Sequence, residues 1–275
     1  MKTKRTSEFK WHVLLLILIF LSLFPIVFAI LSSFKNLDEI YKNGFTLLPR
    51  HPTLKNYAEV FKRLPFAQIS CNTFIIASTV TIFKTSTAIL AAYAFVYYDF
   101  KYKNLIYFVI ISTIFVPFTV TMIPNYLVIS KLGLSDKLFG VILPQLSDAT
   151  GIFLIRQAMR TIPFSLIEVA ELENVNRLKI MRDIVIPLVK PAIISTGIMF
   201  FINSWNEYVW PVLILKSKEK YTLPLALQLF ISSEGGTDFT IAMAVSVITM
   251  IIPLILYIIF QKYIIDTFAA SGIKG

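Results

Sequence analysis

Trp11–Leu31 reads WHVLLLILIFLSLFPIVFAIL and carries no charge if His12 is neutral. The run reaches the length of roughly 20 residues that an α-helix needs to cross the hydrocarbon core of a bilayer. The preceding residues, MKTKRTSEFK, are basic, as before a signal peptide, but the apolar run is too long for a signal h-region. We therefore predict an uncleaved transmembrane helix over about residues 12–33.

The composition extends this interpretation to the whole chain. Of 275 residues, 56% are hydrophobic and 15% are charged, whereas an average soluble domain has about 25% charged residues. A single cysteine, Cys71, excludes a disulfide framework, and with only His12 and His51 no metal site is expected. The net charge of +10 allows nucleic-acid binding, but membrane proteins collect lysine and arginine at the cytoplasmic headgroups, which favours a membrane protein.

Five further apolar segments predict an all-α, polytopic membrane protein with six spans. An even number of spans places both termini on the same side. Polar residues interrupt some spans; we expect Lys84 to snorkel or to pair with a partner subunit, and Pro117 and Pro124 to shape a kink. The five segments are residues 71–97, 105–129, 138–155, 191–215 and 240–261.

Lysine and arginine in the flanks favour a cytoplasmic N-terminus, with 14 on the inner and 11 on the outer segments. Catalytic residues are not expected. The predicted organisation is then a cytoplasmic N-terminus with the first helix (1–34), an extracellular segment (35–67), a five-helix core (68–263) with a cytoplasmic loop at about 156–190, and a cytoplasmic tail (264–275).

The loop TIPFSLIEVAELENVNRLKIMRDIVIPLVKPAI, residues 161–193, has helix-end patterns. Ser165 followed by Glu168 matches a capping box and predicts a short helix that begins at Ser165, with an acid near its positive end. Asn174 can take the left-handed conformation that ends a helix. Asn176 can cap a second helix that runs to about Ile186.

Two prolines, Pro187 and Pro191, then break the chain before the fifth span. The loop is thus expected to form two short helices at the membrane surface, the first of them acidic.

The stretch EVAELENV, Glu168–Val175, followed by IPLVKP, Ile186–Pro191, resembles the EAA loop of ABC importer permeases. Asparagine at 174 stands where the family has glycine, and it tolerates the same backbone. Three other segments resemble the maltose-type carbohydrate branch: NSWNEYVWPVL (Asn203–Leu213), PTLKNYAEVF (Pro52–Phe61) and SGIKG (Ser271–Gly275).

This resemblance implies the fold of an ABC type I importer permease. It further implies several partners: a second permease chain that differs from this one, two ATPase subunits that bind ATP and Mg, an extracellular solute-binding protein and membrane lipid. No cofactor is expected in this chain, and no nucleic-acid partner is expected. The acidic helix would dock into the ATPase through Ser165, Leu166, Ile167, Glu168, Val169, Ala170, Glu171, Leu172, Glu173, Asn174 and Asn176.

A second set of polar and aromatic residues is expected to line the pathway or gate. On one continuous helix, Asn203, Asn206 and Glu207 would share a face, with Trp205 and Tyr208 beside it. Gln145 and Asp148 of the fourth span can line the same cavity or bond between helices. The remaining aromatic residues are expected mostly to face lipid or to form interfacial belts.

The substrate that these residues favour is a sugar or oligosaccharide, because asparagine, tryptophan and tyrosine offer hydrogen bonds and flat apolar surfaces. The alternatives are the same machine for a phosphorylated polyol or an amino compound, a membrane-embedded enzyme, and an ion channel. For the acidic helix itself, the alternative is a solvated surface.

Overall fold

The computed structural model describes the backbone of residues 2–43, 46–231 and 238–272, and the side chains of residues 9–42, 46–231 and 238–263. The loop SSEGGTD (232–238), except Asp238, and the side chains of the tail motif Ser271–Gly275 lie outside the described residues. Within the described part, all regular structure is helical, which agrees with the predicted fold class.

The helices are given in chain order. They are α1 (Lys2–Ser33), α2 (Leu37–Asn43), α3 (Lys55–Arg63), α4 (Phe66–Tyr97), α5 (Lys103–Ser112), α6 (Phe118–Lys131), α7 (Leu138–Ile142), α8 (Ala149–Met159), α9 (Phe164–Leu172), α10 (Arg177–Ile180), α11 (Ile186–Leu188), α12 (Lys190–Asn206), α13 (Val209–Ile214), α14 (Leu223–Ile231) and α15 (Phe239–Gly272). Short 3-10 turns occupy Thr113–Phe115, Leu143–Gln145 and Lys218–Lys220, and Met181–Val185 is π-helical.

Three helices are long and apolar enough to cross a membrane alone, over Phe9–Ser33, Phe66–Tyr97 and Phe239–Tyr263. Three more spans arise only if each of three bent helix pairs counts as one. The described chain therefore holds up to six spans, three of them broken, but the last bent pair covers Arg177–Asn206 and not the predicted span 191–215.

The third span breaks by 100° between Phe115 and Phe118. Pro117 lacks an N–H group and disfavours the α conformation at the preceding residue, so Val116 is extended (φ −83°, ψ 112°). Pro124, in contrast, stays inside α6. The kink expected from both prolines is thus one sharp break at Pro117.

The fifth predicted span, 191–215, is wrong as a single helix. Helix α12 ends at Asn206, and a separate helix, α13, starts at Val209. At the other end, α12 bends by 79° from the segment Arg177–Leu188. The chain turns at Val189, between the two prolines, and Pro187 lies inside a helical turn instead of breaking it.

The contacts group the chain into two compact units. In the first, residues 1–66 with 226–251, the side chain of Asn56 joins three segments. Its Nδ2 donates to the carbonyls of Ser33 and Lys35, at 2.7 Å each, and its Oδ1 accepts from Thr240 Oγ1 at 3.0 Å. The asparagine of PTLKNYAEVF therefore satisfies buried backbone carbonyls after α1.

The second unit, residues 67–225 with 252–275, brings α8 against α12 at a glycine. A Cβ at Gly151 would lie 2.5 Å from the ring of Phe200. Since real Cβ atoms do not approach so closely, the glycine is what lets the ring pack on α8. The same α8 contributes Ile152, Ile155 and Met159 to a buried apolar cluster.

We predict that Gly151→Ala destabilises the protein by about 1–3 kcal/mol, because the added methyl overpacks the contact with Phe200. Thermal unfolding of the purified protein, followed by far-UV circular dichroism, measures the loss. Gly197→Ala in α12 is the matched control, since its Cβ would meet Thr85 Oγ1 at an ordinary 3.6 Å. Equal melting temperatures for the two variants would contradict this packing.

Candidate functional site

Helix α9 occupies the acidic part of the loop, but it does not begin with the predicted capping box. It starts at Phe164, with Pro163 at the N-cap and no side-chain cap hydrogen bond. Ser165 is therefore already helical, and Glu168 falls outside the first turn, which contains no acid. The proline provides the extended N-cap backbone (φ −58°, ψ 128°) in place of the serine.

The end of α9 is as expected. Asn174 has φ +53°, and the amides of Asn174 and Val175 donate to the carbonyls of Glu171 and Ala170, at 3.0 Å each. This is a Schellman ending with asparagine in the left-handed position. Asn176 Oδ1 then accepts from the amide of Leu178 at 3.0 Å and caps α10, as predicted.

The side chains of α9 separate into two faces. Ile167 and Ala170 are buried and pack into the cluster with Ile155, Met159 and Ile180. They therefore anchor the loop to the buried cluster, and they are not part of the exposed surface of the helix predicted to dock to the ATPase. The exposed face carries three apolar residues together with the acids; it comprises Ser165, Leu166, Glu168, Val169, Glu171, Leu172 and Glu173.

Tyrosines at the end of α4 fasten this loop. Tyr93 donates to the carbonyl of Arg177 at 2.9 Å, and Tyr97 donates to the carbonyl of Met159 at 3.2 Å. The Arg177 guanidinium lies 4.6 Å from the ring centre of Tyr98. The sequence predicts that most aromatic residues face lipid or form interfacial belts, and these tyrosines are exceptions. The feature of the sequence that could have indicated their role is their clustering in YAFVYYDF, just before the first inner loop.

Past α10 the backbone passes through the π-helical turn Met181–Val185 and continues to Leu188, two residues beyond the predicted end at Ile186. Val185 and Val189 are buried in the same cluster as Ile167. The loop is thus packed continuously from α9 to the start of α12.

The predicted pathway cluster is not on one helical face. Asn203 and Asn206 are exposed on α12, but Glu207 is extended (φ −69°, ψ 126°) and Tyr208 lies outside both helices. The i, i+3, i+4 geometry is therefore wrong, because α12 ends at Asn206. Trp205 is fully buried, stacked at 5.6 Å on Phe201, and does not line an open surface here.

Glu207 has a defined structural task. Its Oε1 accepts from the amides of Val209 at 2.9 Å and Trp210 at 3.2 Å, the first two residues of α13. The carboxylate satisfies N–H groups that the break leaves without helical partners. The break after α12 thus depends on the acid that the sequence had placed in the pathway.

Asp148 performs the same task in the fourth span. Its carboxylate accepts from the amides of Thr150 and Gly151 at the start of α8, where the span bends by 45°. It also pairs with Lys84 of α4 at 3.2 Å. Lys84 lies 5.2 Å from the centre of the Phe200 ring, so it is bound within this chain and does not snorkel or await a partner subunit.

Gln145 bonds locally, its Nε2 donating to the carbonyl of Val141 at 2.9 Å. No hydrogen bond among the described residues joins it to Asp148 or to residues 203–208. Hydrogen bonds among the described residues therefore do not link the predicted pathway residues into one polar network.

A third acid, Asp136, binds the segment after α13. Its carboxylate accepts from the amide of Lys216, from Ser217 and from Lys220 Nζ. The hydrogen bonds from Lys220 and Ser217 hold the pKa of this carboxyl well below its usual range. Because the folded-state pKa is depressed, this stabilisation is present above the unfolded pKa of about 3.9 and is lost as the pH falls toward the folded-state value.

Apolar helices broken at capped ends and an anchored loop between the fourth and fifth spans indicate a polytopic membrane protein. The chain belongs to the family of binding-protein-dependent transport system inner membrane components, whose model matches residues 84–268. It is a multi-pass inner-membrane permease subunit and not itself an enzyme.

The relatives transport different solutes. The chain is 30% identical to an sn-glycerol-3-phosphate transport system permease protein of Yersinia pestis over 271 residues, 96% of each chain. It is 29% identical to an arabinooligosaccharides transport system permease protein of Halalkalibacterium halodurans over the full length of both. A bacterial ABC transporter that imports the acidic polysaccharide alginate matches with a TM-score of 0.84 and 25% identity, over 96% of this chain and 98% of that one.

We predict that Glu207→Ala lowers stability by about 1 kcal/mol, the usual loss of a cap, while Glu207→Gln does not, since the amide oxygen still accepts from Val209 and Trp210. Thermal unfolding of both variants is the measurement. Solute uptake by the same variants distinguishes a role of Glu207 as a helix cap from a role of its charge. If Glu207 acts as a cap, the Glu207→Gln variant transports solute normally. If Gln and Ala lose uptake equally, the charge itself acts in transport.

Proposed function

We propose that the chain is one of two permease subunits of an ATP-driven importer, and that the exposed face of α9 is the surface to which the ATPase docks. The observation that carries the proposal is a helix outside the apolar spans with one buried and one exposed apolar face. Packing against the rest of this unit accounts for the apolar side chains of Ile167 and Ala170, which are buried. It does not account for the apolar side chains on the exposed face of α9.

On that outer face, Leu166, Val169 and Leu172 follow each other at three-residue spacing and are 47%, 59% and 81% exposed. Apolar side chains that are exposed together beside charged residues are typical of a protein contact site. Three exposed glutamates, Glu168, Glu171 and Glu173, border them. This pattern favours a partner with an apolar cleft rimmed by cations over the solvated surface that was the alternative.

The anchoring of the loop supports a mechanical role. Tyr93, Tyr97 and the buried cluster join α9 to α4 and α8, and the chain continues through α10 to α12. A force applied at α9 is therefore passed to membrane helices as rigid-body motion. In this proposal ATP and Mg are bound by the ATPase subunits, and this chain converts their closure into a change of access.

The proposed docking also implies on which side of the membrane each segment of the chain lies. An ATPase in the cytoplasm requires the loop at residues 156–190 to be cytoplasmic, with both termini on that side and residues 35–67 outside. The 14 to 11 bias of cationic residues supports the same orientation.

We predict that Leu172→Ala weakens ATPase binding roughly tenfold, as for a residue near the centre of an interface. Copurification of the ATPase with the tagged permease measures the change, and Glu168→Lys should reduce it as well. Leu105→Ala, on α5, is the matched control with 58% exposure. If both loop variants copurify with the ATPase as well as the wild type does, the exposed face of α9 is a solvated surface. The ATPase contact would then no longer support the proposed orientation.

For the transported solute we propose a sugar or oligosaccharide. The arabinooligosaccharide and alginate relatives support it, as do the exposed Asn203, Asn206 and Tyr208 near the break after α12, which can bond hydroxyls and cover a ring face. The second candidate is a phosphorylated polyol, favoured by the 30% identity to the sn-glycerol-3-phosphate permease.

The test is ATP hydrolysis by the whole importer in proteoliposomes with its binding protein. We predict stimulation by arabino-oligosaccharides and none by sn-glycerol-3-phosphate. Asn206→Ala should lower the stimulation while leaving basal hydrolysis intact. Stimulation by the glycerol phosphate alone would establish the second candidate in place of the first.

A further inference from the structure

A cavity of about 480 Å³ opens between the end of α4, the start of α5 and the end of α8. Three cationic side chains line it, those of Lys103, Arg156 and Arg160. Among the side chains that the structure describes, no acid lines this cavity. An excess of positive charge in one concave site calls for an anionic ligand.

Within the part of the chain that the structure describes, no carboxylate neutralises the two arginines of the cavity. Neither Arg156 nor Arg160 takes part in an ion pair with any described residue. Arg156 Nε is buried and has no hydrogen-bond partner, and the same holds for the hydroxyl of Tyr107. The positive charge of Arg156 and Arg160 is therefore available to an anion that enters the cavity.

The neighbouring groups fit a phosphate. The Arg156 guanidinium stacks over the Tyr107 ring, with Cζ 4.0 Å from its centre, which restrains the side chain. Helix α5 begins at Lys103 without a side-chain cap, so its N-terminal dipole adds positive potential. Arginine forks bind phosphate oxygens in pairs.

The surroundings favour a lipid as the source of that phosphate. From the mouth of the cavity α5 continues with Leu105, Phe108 and Val109, which are 58%, 69% and 56% exposed, as on a surface facing acyl chains. Lys101 lies over the ring of the exposed Tyr102, 4.9 Å from its centre. Aromatic and basic residues in this combination are typical of the headgroup layer.

We propose that Lys103, Arg156 and Arg160 form a binding site for the phosphate of an anionic phospholipid, with the acyl chains lying along α5. Basic pockets between transmembrane helices bind such headgroups in other membrane proteins. Phe164, the first residue of α9, also lines the cavity. The site therefore adjoins α9, but it shares no residue with the exposed face from Ser165 to Glu173, and it requires neither the proposed solute nor the proposed ATPase contact.

Native mass spectrometry of the detergent-purified protein, together with whatever copurifies, tests the site with added dioleoyl phosphatidylglycerol. The expected result is saturable binding of one phosphatidylglycerol per copy of this chain, and no such binding of phosphatidylcholine. Arg156→Gln and Arg160→Gln should each raise the apparent Kd about fivefold, the effect of one cation near a membrane surface.

Lys179→Gln is the matched control, because it removes an exposed cation of the same loop region that does not line the cavity; its Kd should stay unchanged. Arg160 is exposed, so its variant keeps the test valid even if Arg156→Gln misfolds. Arg156→Lys should recover part of the affinity.

Three results would overturn the proposal. The first is an equal affinity of wild type and Arg160→Gln for phosphatidylglycerol. The second is binding of inorganic phosphate that depends on these arginines while lipid binding does not, which would make the site one for a free anion. The third is that an arginine variant loses a copurifying subunit while its lipid binding is unchanged, which would make the cavity a contact site for a protein.

Discussion

Every helix break inside an apolar segment leaves amide groups that lipid cannot satisfy, and this constraint shapes the second unit of the chain. Asp148 supplies the acceptor at the start of α8 and Glu207 supplies it at the start of α13. Asp148 in addition pairs with Lys84 of α4. The acids of the apolar segments are thus bound to backbone amides.

Features that depend on local properties could be predicted from the sequence. Apolar runs indicated the spans, and Asn174 and Asn176 end and begin helices because their short amides suit those backbone positions. The capping box at Ser165 failed because Pro163 already fixes the N-cap, and the ring of Phe164 stacks on Tyr97, 6.4 Å between centres. That second contact joins residues far apart in sequence, so no local pattern could reveal it.

The break after Asn206 was missed because the polar residues around it, Asn203, Asn206 and Glu207, were interpreted as pathway residues, and neither a glycine nor a proline lies at the break. The local signal is Pro211, the third residue of α13. A proline in the first turn of a helix loses no hydrogen bond, so it indicates a helix that starts shortly before it. The fastening tyrosines, Tyr93 and Tyr97, were missed for another reason: their partners are backbone carbonyls in the loop after α8 and in α8 itself, and any residue type supplies those.

The π-helical turn at Met181–Val185 sets the angular register between α9 and α12. A π turn holds one residue more than the α turn it replaces, and one residue corresponds to about 100° of rotation around a helix axis. Because this wide turn already absorbs one extra residue, deleting a single residue there would restore regular α-helix with little rotation of the segments on either side. A deletion from the regular helical turns of α10 or α11 would instead rotate the preceding segment by about 100° relative to α12. The π turn is therefore a place where the chain can change length without re-aiming the exposed face of α9.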